Sequence, residues 1–431
     1  MITIGTPFVF RKDGKAFLKA PVSISEDTAS AYMALEKKLK KVHWRLRENY
    51  PPVEWNDPDT GLWFSIPEEY ADDLCYEQAD AFVVAMLWYA MMTGSDIRSE
   101  APVSEKMAFS IQNLLIPALC KEEKGYRRIQ LICETSAVPY PTKERVGTGM
   151  SCGIDSLYTM RMYDDRVPEQ YRLTHLTYYN MGAIFHPDGT RKSYTLEEFY
   201  RTTDRMSEEK CENARQVAER AGLPLLYVQS NLDENYYRGA YGYTAVYRNC
   251  ACTLALQGLF GKYYCSSGGW PDYYDPSLSE GSEHYESLLC TALSTESLEF
   301  ILSDYVTRIE KTRAIGDWDI AQDYLDVCFH FNNCGTCAKC YRTLVTLDLL
   351  GKVDDFGRVF DIKKYYRNRK KAYGWLLYTK QGDAKNDNAV FARDIYRLAK
   401  EKRLHFPLAS YGYMLFLAGR SVLVKLYHFV R

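Results

Sequence analysis

The pattern of apolar and polar positions predicts an N-terminal region of mixed strands and helices. The first 24 residues alternate around the turn pair Asp13-Gly14, which predicts a β-hairpin. Ala79 to Met92 is apolar almost all round, which predicts a buried helix that ends at Gly94. Glu26 to Arg47 admits either a helix or a strand. We therefore expect an α+β N-terminal domain over residues 1–140 that ends in a polar, proline-containing stretch.

Strand and helix patterns alternate after this stretch. The predicted strands are Val146–Met150, Thr174–Tyr179, Leu225–Val228 and Lys262–Cys265, and the predicted helices are one from Ser156, Glu208–Ala221 and Ala251–Phe260. Alternation of this kind predicts an α/β fold with a doubly wound, mostly parallel sheet that binds ligands at the carboxyl ends of its strands. We assign residues 141–345 to this domain and residues 346–431 to a helical C-terminal region.

Composition and charge exclude several classes of protein. The 431 residues are 46% hydrophobic and 26% charged, as in an ordinary globular protein. The 54 Lys and Arg against 56 Asp and Glu give a net charge of −2, which argues against a nucleic-acid partner. No signal peptide is apparent, and the apolar stretch Leu408 to Gly419 is too short to span a membrane. We therefore expect a cytoplasmic protein whose 13 cysteines are thiols, metal ligands or catalysts.

The first candidate site is a loop of small residues between a predicted strand and a predicted helix. It reads Gly149-Met150-Ser151-Cys152-Gly153-Ile154-Asp155-Ser156. Backbone N–H groups at such a loop and the dipole of the following helix bind anions, and the hydroxyls of Ser151 and Ser156 add donors. A helix-capping turn that binds nothing is the simpler alternative. The loop lacks the Gly-Lys-Ser/Thr of a Walker motif.

This loop resembles the Ser-Gly-Gly-x-Asp-Ser loop of the PP-loop, or N-type, ATP pyrophosphatases. The resemblance implies an adenine nucleotide alpha-hydrolase-like fold and cleavage of ATP between its α and β phosphates. Residues Ser151, Cys152, Gly153, Ile154, Asp155 and Ser156 would then contact the nucleotide, and Ser151, Asp155 and Ser156 would take part in catalysis. Cys152 replaces a glycine that is usual in the family, so a left-handed backbone there would be strained.

Two further segments resemble 7-cyano-7-deazaguanine synthases, which belong to the same superfamily. Arg248-Asn249 precedes the predicted helix Ala251–Phe260, and the following strand leads to Ser266-Ser267-Gly268-Gly269. The resemblance implies that Arg248, Asn249, Ser266, Ser267 and Gly268 line the nucleotide pocket. Capping of a helix by Arg248 and Asn249 is an equally simple interpretation.

Arg308 and Lys311 are candidate phosphate ligands. Their spacing of three residues places both on one face of a helix. In the PP-loop enzymes a lysine in this region reaches the phosphates, so the resemblance implies a catalytic role for the pair. A solvated basic face that pairs with Glu310 is the alternative.

Cys328, Cys334, Cys337 and Cys340 fall within thirteen residues. Two overlapping Cys-x2-Cys steps and a fourth cysteine predict a closed, structural Zn²⁺ site. His330 is an alternative fourth ligand, and an iron–sulfur cluster held by three cysteines is an alternative cofactor.

The resemblance covers about residues 146–345 and implies an enzyme that uses ATP and Mg²⁺. We expect it to adenylate a carboxylate, release pyrophosphate and transfer the acyl group to a nitrogen nucleophile. The substrate would be a small molecule, such as a deazaguanine, or a protein terminus. An ATP-dependent RNA thiolase that uses Cys152 or Cys265, and a degenerate nucleotide-binding assembly factor, are the alternatives.

Two C-terminal segments carry weaker signals. The run Lys363 to Lys371 mixes basic and aromatic residues and could hold an anionic partner such as RNA, although such runs more often form a solvated helix face. Tyr411 to Val430 is mostly apolar and predicts a docking helix, packed against its own domain or against a second subunit of a homodimer.

Overall fold

The computed structural model describes residues 1–40, 61–121, 125–184, 195–237, 240–268, 281–328, 333–383 and 387–430. Three sequence interpretations fall partly or wholly outside these ranges: residues 41–47 of the ambiguous segment, Gly269 and His330. The chain divides into two compact units. The first contains residues 1–151 and 162–305, and the second contains residues 152–161 and 306–431.

All the strands of the described residues belong to the first unit. In chain order they are β1 (Ile2–Ile4), β2 (Phe8–Lys12), β3 (Lys15–Ala20), β4 (Val22–Ile24), β5 (Leu62–Pro67), β6 (Ile97–Ser99), β7 (Val103–Ser104), β8 (Leu131–Ile132), β9 (Thr135–Ser136), β10 (Arg145–Gly149), β11 (His175–Asn180), β12 (Leu225–Ser230), β13 (Phe260–Cys265) and β14 (Glu299–Leu302). The four strands predicted by sequence alternation are thus confirmed as β10 to β13.

The α-helices follow the same order. They are α1 (Glu26–Lys40), α2 (Asp80–Thr93), α3 (Glu105–Ser110), α4 (Ile116–Lys121), α5 (Ile154–Met162), α6 (Leu196–Ala221), α7 (Tyr241–Leu254), α8 (Glu286–Leu293), α9 (Arg308–Ile315), α10 (Asp319–Tyr324), α11 (Ala338–Leu349), α12 (Ile362–Thr379), α13 (Asp387–Glu401) and α14 (Leu408–Val430). The predicted helical C-terminal region corresponds to α11 to α14. None of the helices in the described ranges has the length and apolar content needed to cross a membrane.

The main sheet is mixed. Its strands lie in the order β14-β13-β10-β11-β12-β5-β3-β2. Strands β10 to β14 pair in parallel, whereas β5 pairs antiparallel with β12 and continues into the antiparallel pairs β3–β5 and β2–β3. The chain is therefore an α/β protein whose sheets are parallel in part.

The order of the parallel strands defines where a ligand would bind. Numbered from β10 along the chain, they lie in the order 3-2-1-4-5, so the winding reverses between β10 and β13. Open α/β sheets bind ligands at the carboxyl ends of the strands that flank such a reversal. In this chain those ends are Gly149, which lies two residues before Ser151, and Cys265, which lies directly before Ser266.

The predicted hairpin and buried helix are both confirmed. Asp13 and Gly14 have φ of 51° and 72° and close the two-residue turn between β2 and β3, as a type I′ turn requires. Helix α2 is buried along nearly its whole length and ends at Gly94, whose φ is 70°. A positive φ at this position suits glycine, which has no Cβ to clash with the preceding turn.

The predicted boundaries of two helices were wrong. The helix predicted at Glu208–Ala221 begins at Leu196. The helix predicted at Ala251–Phe260 begins at Tyr241 and ends at Leu254, so Arg248 and Asn249 lie inside α7 rather than before it. After the helix the chain passes close to the backbone of Asp73: the Gly258 N–H donates to the Asp73 carbonyl oxygen at 3.1 Å, and an added Cβ at Gly258 would lie 2.7 Å from that oxygen.

The structure also groups the chain differently from the predicted three domains. Residues 1–140 do not form a separate unit, because their strands β2, β3 and β5 extend the sheet that begins with β10. Residues 306–345 instead group with the C-terminal helices. Sequence periodicity identifies strands but carries no information about which strand edge a distant segment joins.

Candidate functional site

The loop after β10 has an unusual backbone at Cys152. This residue has φ of 57°, in the left-handed region that favours glycine, and its side chain is buried. Within the second unit its carbonyl oxygen accepts a hydrogen bond of 2.8 Å from the N–H of Asp326. The position therefore has the backbone that explains a preference for glycine, and here it is occupied by cysteine.

Helix α5 begins at the end of this loop. The Leu157 N–H donates to the Gly153 carbonyl oxygen at 3.0 Å, and the Ser156 hydroxyl donates to the same oxygen at 3.2 Å. Ile154, the first helical residue, buries its side chain in the core. The first turn of a helix leaves backbone N–H groups without helical partners, and these groups favour an anion.

Asp155 lies in that first turn and is paired with two cations from α9. Arg308 Nη1 lies 2.8 Å from Asp155 Oδ2, and Lys311 Nζ lies 3.5 Å from Oδ1. A capping box between Thr307 and Glu310 starts α9 and holds this helix in register. The structure thus brings together three site residues that are separated by about 150 positions in the sequence.

Three basic side chains act on Asp155. Burial by itself raises the pKa of Asp155, but the nearby Arg308, Lys311 and Arg342 lower it by more, so the net shift is downward and the carboxylate stays ionised at neutral pH. Lys311 is 1% exposed. Buried and half-buried cations grouped in this way are typical of sites that bind anions.

Aromatic rings position these cations. Lys311 Nζ lies 5.8 Å from the centre of the Tyr158 ring. The guanidinium carbons of Arg308 and Arg342 lie 5.6 Å and 4.5 Å from the ring of Phe391. Cation–π contacts of this kind hold long side chains in place without neutralising their charge.

A second group of predicted residues lies at the carboxyl edge of the parallel sheet in the first unit. Ser151 follows β10 and is exposed, whereas Ser266 follows β13 and is half-buried. The Thr148 hydroxyl lies 3.5 Å from the Ser266 hydroxyl and donates to the Tyr264 carbonyl oxygen, which ties the ends of the two strands together. These are the strands that flank the reversal of winding.

The two residues after Ser266 are held by groups from nearby segments. Ser267 is buried and its N–H donates to the Ser303 hydroxyl at 3.3 Å. The Gly268 N–H donates to Glu286 Oε2 at 3.4 Å. The backbone after β13 is therefore fixed by side chains that the sequence motif does not include.

Arg248 lies in the core of the first unit. It is fully buried, and its guanidinium contacts Asp233 Oδ1 at 2.7 Å, the Thr244 hydroxyl at 2.8 Å and the Met181 carbonyl oxygen. Asn249 is half-buried in the same helix, and its carbonyl oxygen accepts from the Thr253 hydroxyl. These contacts support a structural function for Arg248, which connects α7 to the ends of β11 and β12.

The four cysteines of the second unit converge on one point. Their sulfur atoms all lie within 4.8 Å of one another. Cys328 Sγ lies 3.8 Å from Cys337 Sγ, and Cys334 Sγ lies 3.9 Å from Cys340 Sγ. A tetrahedral site with Zn–S distances of about 2.3 Å has S–S edges of about 3.8 Å. The four residues could therefore hold a metal ion such as zinc.

Backbone N–H groups point at these sulfurs. Cys334 N, Cys337 N and Cys340 N lie 3.3–3.4 Å from the sulfurs of Cys328, Cys334 and Cys337, respectively. Such donors stabilise thiolates and orient metal ligands. Gly335 turns the chain between the cysteines with φ of 73°, as expected for the glycine of a knuckle.

Sequence reasoning missed several residues that shape these sites. The Phe391 ring contacts the guanidinium groups of both Arg308 and Arg342. The Asp326 N–H donates to the Cys152 carbonyl oxygen. Asn333 also went unnoticed, although its side chain donates to the carbonyl oxygens of Leu325 and Val359 and accepts from Val327 N, which holds the chain before the knuckle. No local motif marks these residues, because each acts on a partner that is distant in sequence or separated by an irregular segment.

Comparison with known proteins identified no relative. No family model matches the chain, and neither a curated protein nor a solved structure matches it.

Proposed function

We propose that this protein is an ATP pyrophosphatase of the PP-loop type that adenylates a carboxylate and transfers it to a nitrogen nucleophile. The proposal rests on the resemblance of residues 146–345 and on one structural observation. Asp155, in the first turn after the small-residue loop, is paired with Arg308 and Lys311. A motif loop and a distant basic pair that come together at a helix start support a shared function in binding phosphates.

The cations would act on the charge that develops during cleavage. Breaking the bond between the α and β phosphates places negative charge on the departing pyrophosphate. Preorganised cations in a partly buried site stabilise such charge more strongly than water does. Lys311 suits this function because its ammonium is a compact point charge, and Tyr158 restricts where it lies.

Asp155 would orient these cations. Both of its carboxylate oxygens are engaged by Arg308 and Lys311, so it is poorly suited to bind a metal ion directly. Mg²⁺, held mainly by the phosphates, would add charge neutralisation when it is bound. The Ser151 hydroxyl and the Gly153 N–H are the groups of the loop that would donate to phosphate oxygens, whereas the Ser156 hydroxyl donates to the Gly153 carbonyl oxygen and would hold the loop in shape.

The strand order supports the fold that this function implies. The order 3-2-1-4-5 is that of a doubly wound sheet, which binds ligands at the carboxyl ends of the strands that flank the reversal, here β10 and β13. Ser266, Ser267 and Gly268 lie at the carboxyl end of β13. We propose an adenine nucleotide alpha-hydrolase-like fold on this basis, with a small carboxylate or a protein terminus as the substrate.

The proposal is tested by measuring pyrophosphate. Purified protein is incubated with ATP, Mg²⁺ and a panel of carboxylates, and ATP–pyrophosphate exchange is followed. Lys311→Met should lower the exchange rate by about 100-fold or more, since loss of one stabilising group commonly has this effect. The matched control is Arg313→Gln, which removes an exposed cation from the same helix and should leave the rate within about twofold.

Two results would contradict the proposal. One is unchanged exchange in Lys311→Met while its thermal unfolding remains that of the wild type. The other is tight ATP binding by calorimetry without exchange for any carboxylate, which would support the nucleotide-binding assembly factor instead.

A further inference from the structure

Helix α14 in the second unit presents an uncovered apolar face. Its opposite face packs against α12, where Ser410 is fully buried and an added Cβ at Gly374 would lie 2.6 Å from the Ser410 carbonyl oxygen. The uncovered face carries six large side chains: Leu408 (88% exposed), Tyr411 (41%), Leu415 (65%), Phe416 (59%), Val422 (56%) and Leu423 (68%). Contiguous exposed apolar surface of this kind marks an interaction site.

Charge is nearly absent from this face. Between Leu408 and Leu423 the only charged residue is Arg420, and the remaining exposed positions are the small residues Ala409, Gly412 and Gly419. The surface therefore suits an apolar partner and offers no charged groups that would select an acidic peptide.

We propose that the partner is α14 of a second copy of this chain, which packs antiparallel across a two-fold axis. Two exposed pairs of identical residues are equidistant from the midpoint between Leu415 and Phe416. Leu408 is as far before this midpoint as Leu423 is after it, and Gly412 and Gly419 are related in the same way. In an antiparallel pair centred here, each of these residues lies level with its counterpart from the other copy.

The two glycines favour close packing of the helices. They are seven residues apart, or about two turns, so they lie on one stripe of the helix. An added Cβ at either position would meet no atom within 4 Å, so both glycines border open space. Leu415 and Phe416 of each copy would pack near the midpoint. On either side of it, Gly412 of one copy would face Gly419 of the other, which would let the two helix backbones approach closely.

The available area is consistent with a dimer. Large apolar and aromatic side chains offer roughly 150–250 Å² each when fully exposed. With the exposed fractions above, the six side chains leave roughly 570–940 Å² per copy. A standard interface buries about 800 Å² per partner, so this face alone would supply most of a specific contact.

The test is the mass of the full-length protein in solution. Light scattering after size exclusion should give twice the chain mass of 49.8 kDa at micromolar concentration. Leu415→Glu places like charges from both copies beside the two-fold axis and should raise the dissociation constant by at least about 100-fold. Phe109→Glu, which changes another exposed large residue in the first unit, is the matched control and should remain dimeric.

Cross-linking tests the direction and register of the helices. Protein with Gly412→Cys mixed with protein carrying Gly419→Cys should form a covalent dimer under mild oxidation, because the two positions are level. Gly412→Cys alone should form little, since its two copies would be offset by about 10 Å along the axis. Wild-type protein controls for the native cysteines.

Two outcomes would overturn the proposal: a monomeric wild type, or a dimer that persists in Leu415→Glu. If the wild type is a monomer and binds phospholipid vesicles through α14, the partner of this face is a membrane surface instead. Circular dichroism of Leu415→Glu should match the wild type because this side chain is exposed, and Leu423→Ala provides a second, milder variant.

Discussion

Cys152 shows that a residue other than glycine can adopt a left-handed backbone conformation in a loop. Its φ of 57° is one that glycine adopts freely, whereas most other residues pay about 1–2 kcal/mol for it. Burial of the side chain and the hydrogen bond from Asp326 offset this cost. The shape of the loop is therefore imposed by its surroundings rather than by the preference of the residue.

The change in the free energy of unfolding on substitution of Cys152 should depend on the backbone conformation that the new residue tolerates rather than on its volume. Cys152→Val keeps a buried side chain of similar size but adds a branch at Cβ, which the left-handed region tolerates poorly, so we expect a loss of about 2 kcal/mol or more. Cys152→Gly removes the strain together with some packing and should stay within about 1 kcal/mol of the wild type. Urea unfolding measures both variants.

Cys211→Val is the control for this prediction. Cys211 is equally buried but lies in helix α6, where valine is acceptable. If Cys152→Val proves no more destabilising than Cys211→Val, the conformation at position 152 contributes no strain.

At the scale of elements, the cysteine knuckle connects two parts of the second unit. Cys337 caps the N-terminus of α11 by accepting from Cys340 N, and the Lys364 ammonium of α12 donates to the Cys334 carbonyl oxygen at 2.8 Å. Asp326, two residues before Cys328, holds the loop at Cys152. A metal ion here would therefore fix both the start of a helix and the segment that holds the loop at Cys152.

Loss of one thiolate should destabilise the second unit. The wild type should contain one zinc per chain by plasma mass spectrometry. Cys334→Ser should lose most of it and lower the unfolding temperature on the order of 10 °C, because metal binding contributes directly to folding free energy. Cys120→Ser, at a half-buried cysteine in α4, should change neither quantity.

Metal analysis also discriminates between the cofactors. Stoichiometric iron with acid-labile sulfide would contradict a zinc site and favour the thiolase alternative. Retention of zinc by Cys334→Ser would show that the metal is bound elsewhere.

At the scale of the whole molecule, the N-terminal region completes the sheet of the first unit. Strand β5 pairs with the edge of β12 through Gln229–Ser65 and Ser230–Phe64. The buried helix α2 packs against α7, and Asp80 in α2 accepts hydrogen bonds from Ser104 N and Gln257 Nε2. Burial raises the pKa of Asp80 to about 6, and the hydrogen bonds from Gln257 and Ser104 stabilise the ionised form of this carboxylate.

A fragment of residues 141–431 should not fold alone. Removing residues 1–140 exposes the edge of β12 and the face of α7 that α2 covers, which leaves an unpaired strand and a large apolar surface. We expect an insoluble fragment or one without a cooperative thermal transition by circular dichroism. Co-expression with residues 1–140 is the control and should restore soluble protein. A monomeric fragment that melts cooperatively would contradict this prediction.

The sequence alone determined the elements whose signals are local. Period-two and period-3.6 patterns located β10 to β13, the hairpin at Asp13-Gly14 and the buried helix α2, because side-chain direction follows from backbone geometry. Cysteine spacing was enough to predict the metal-binding group, since all four ligands lie within thirteen residues. The spacing of Arg308 and Lys311 predicted their common helix face for the same reason.

Only the tertiary structure decided which distant segments meet. It placed Asp155 between Arg308 and Lys311, moved Arg248 into the core and joined β5 to β12. It also left one face of α14 uncovered, although the sequence shows only that this segment is apolar. Pairing of strand edges and packing of helices depend on the shape of surfaces that form after the chain folds, so no local pattern encodes them.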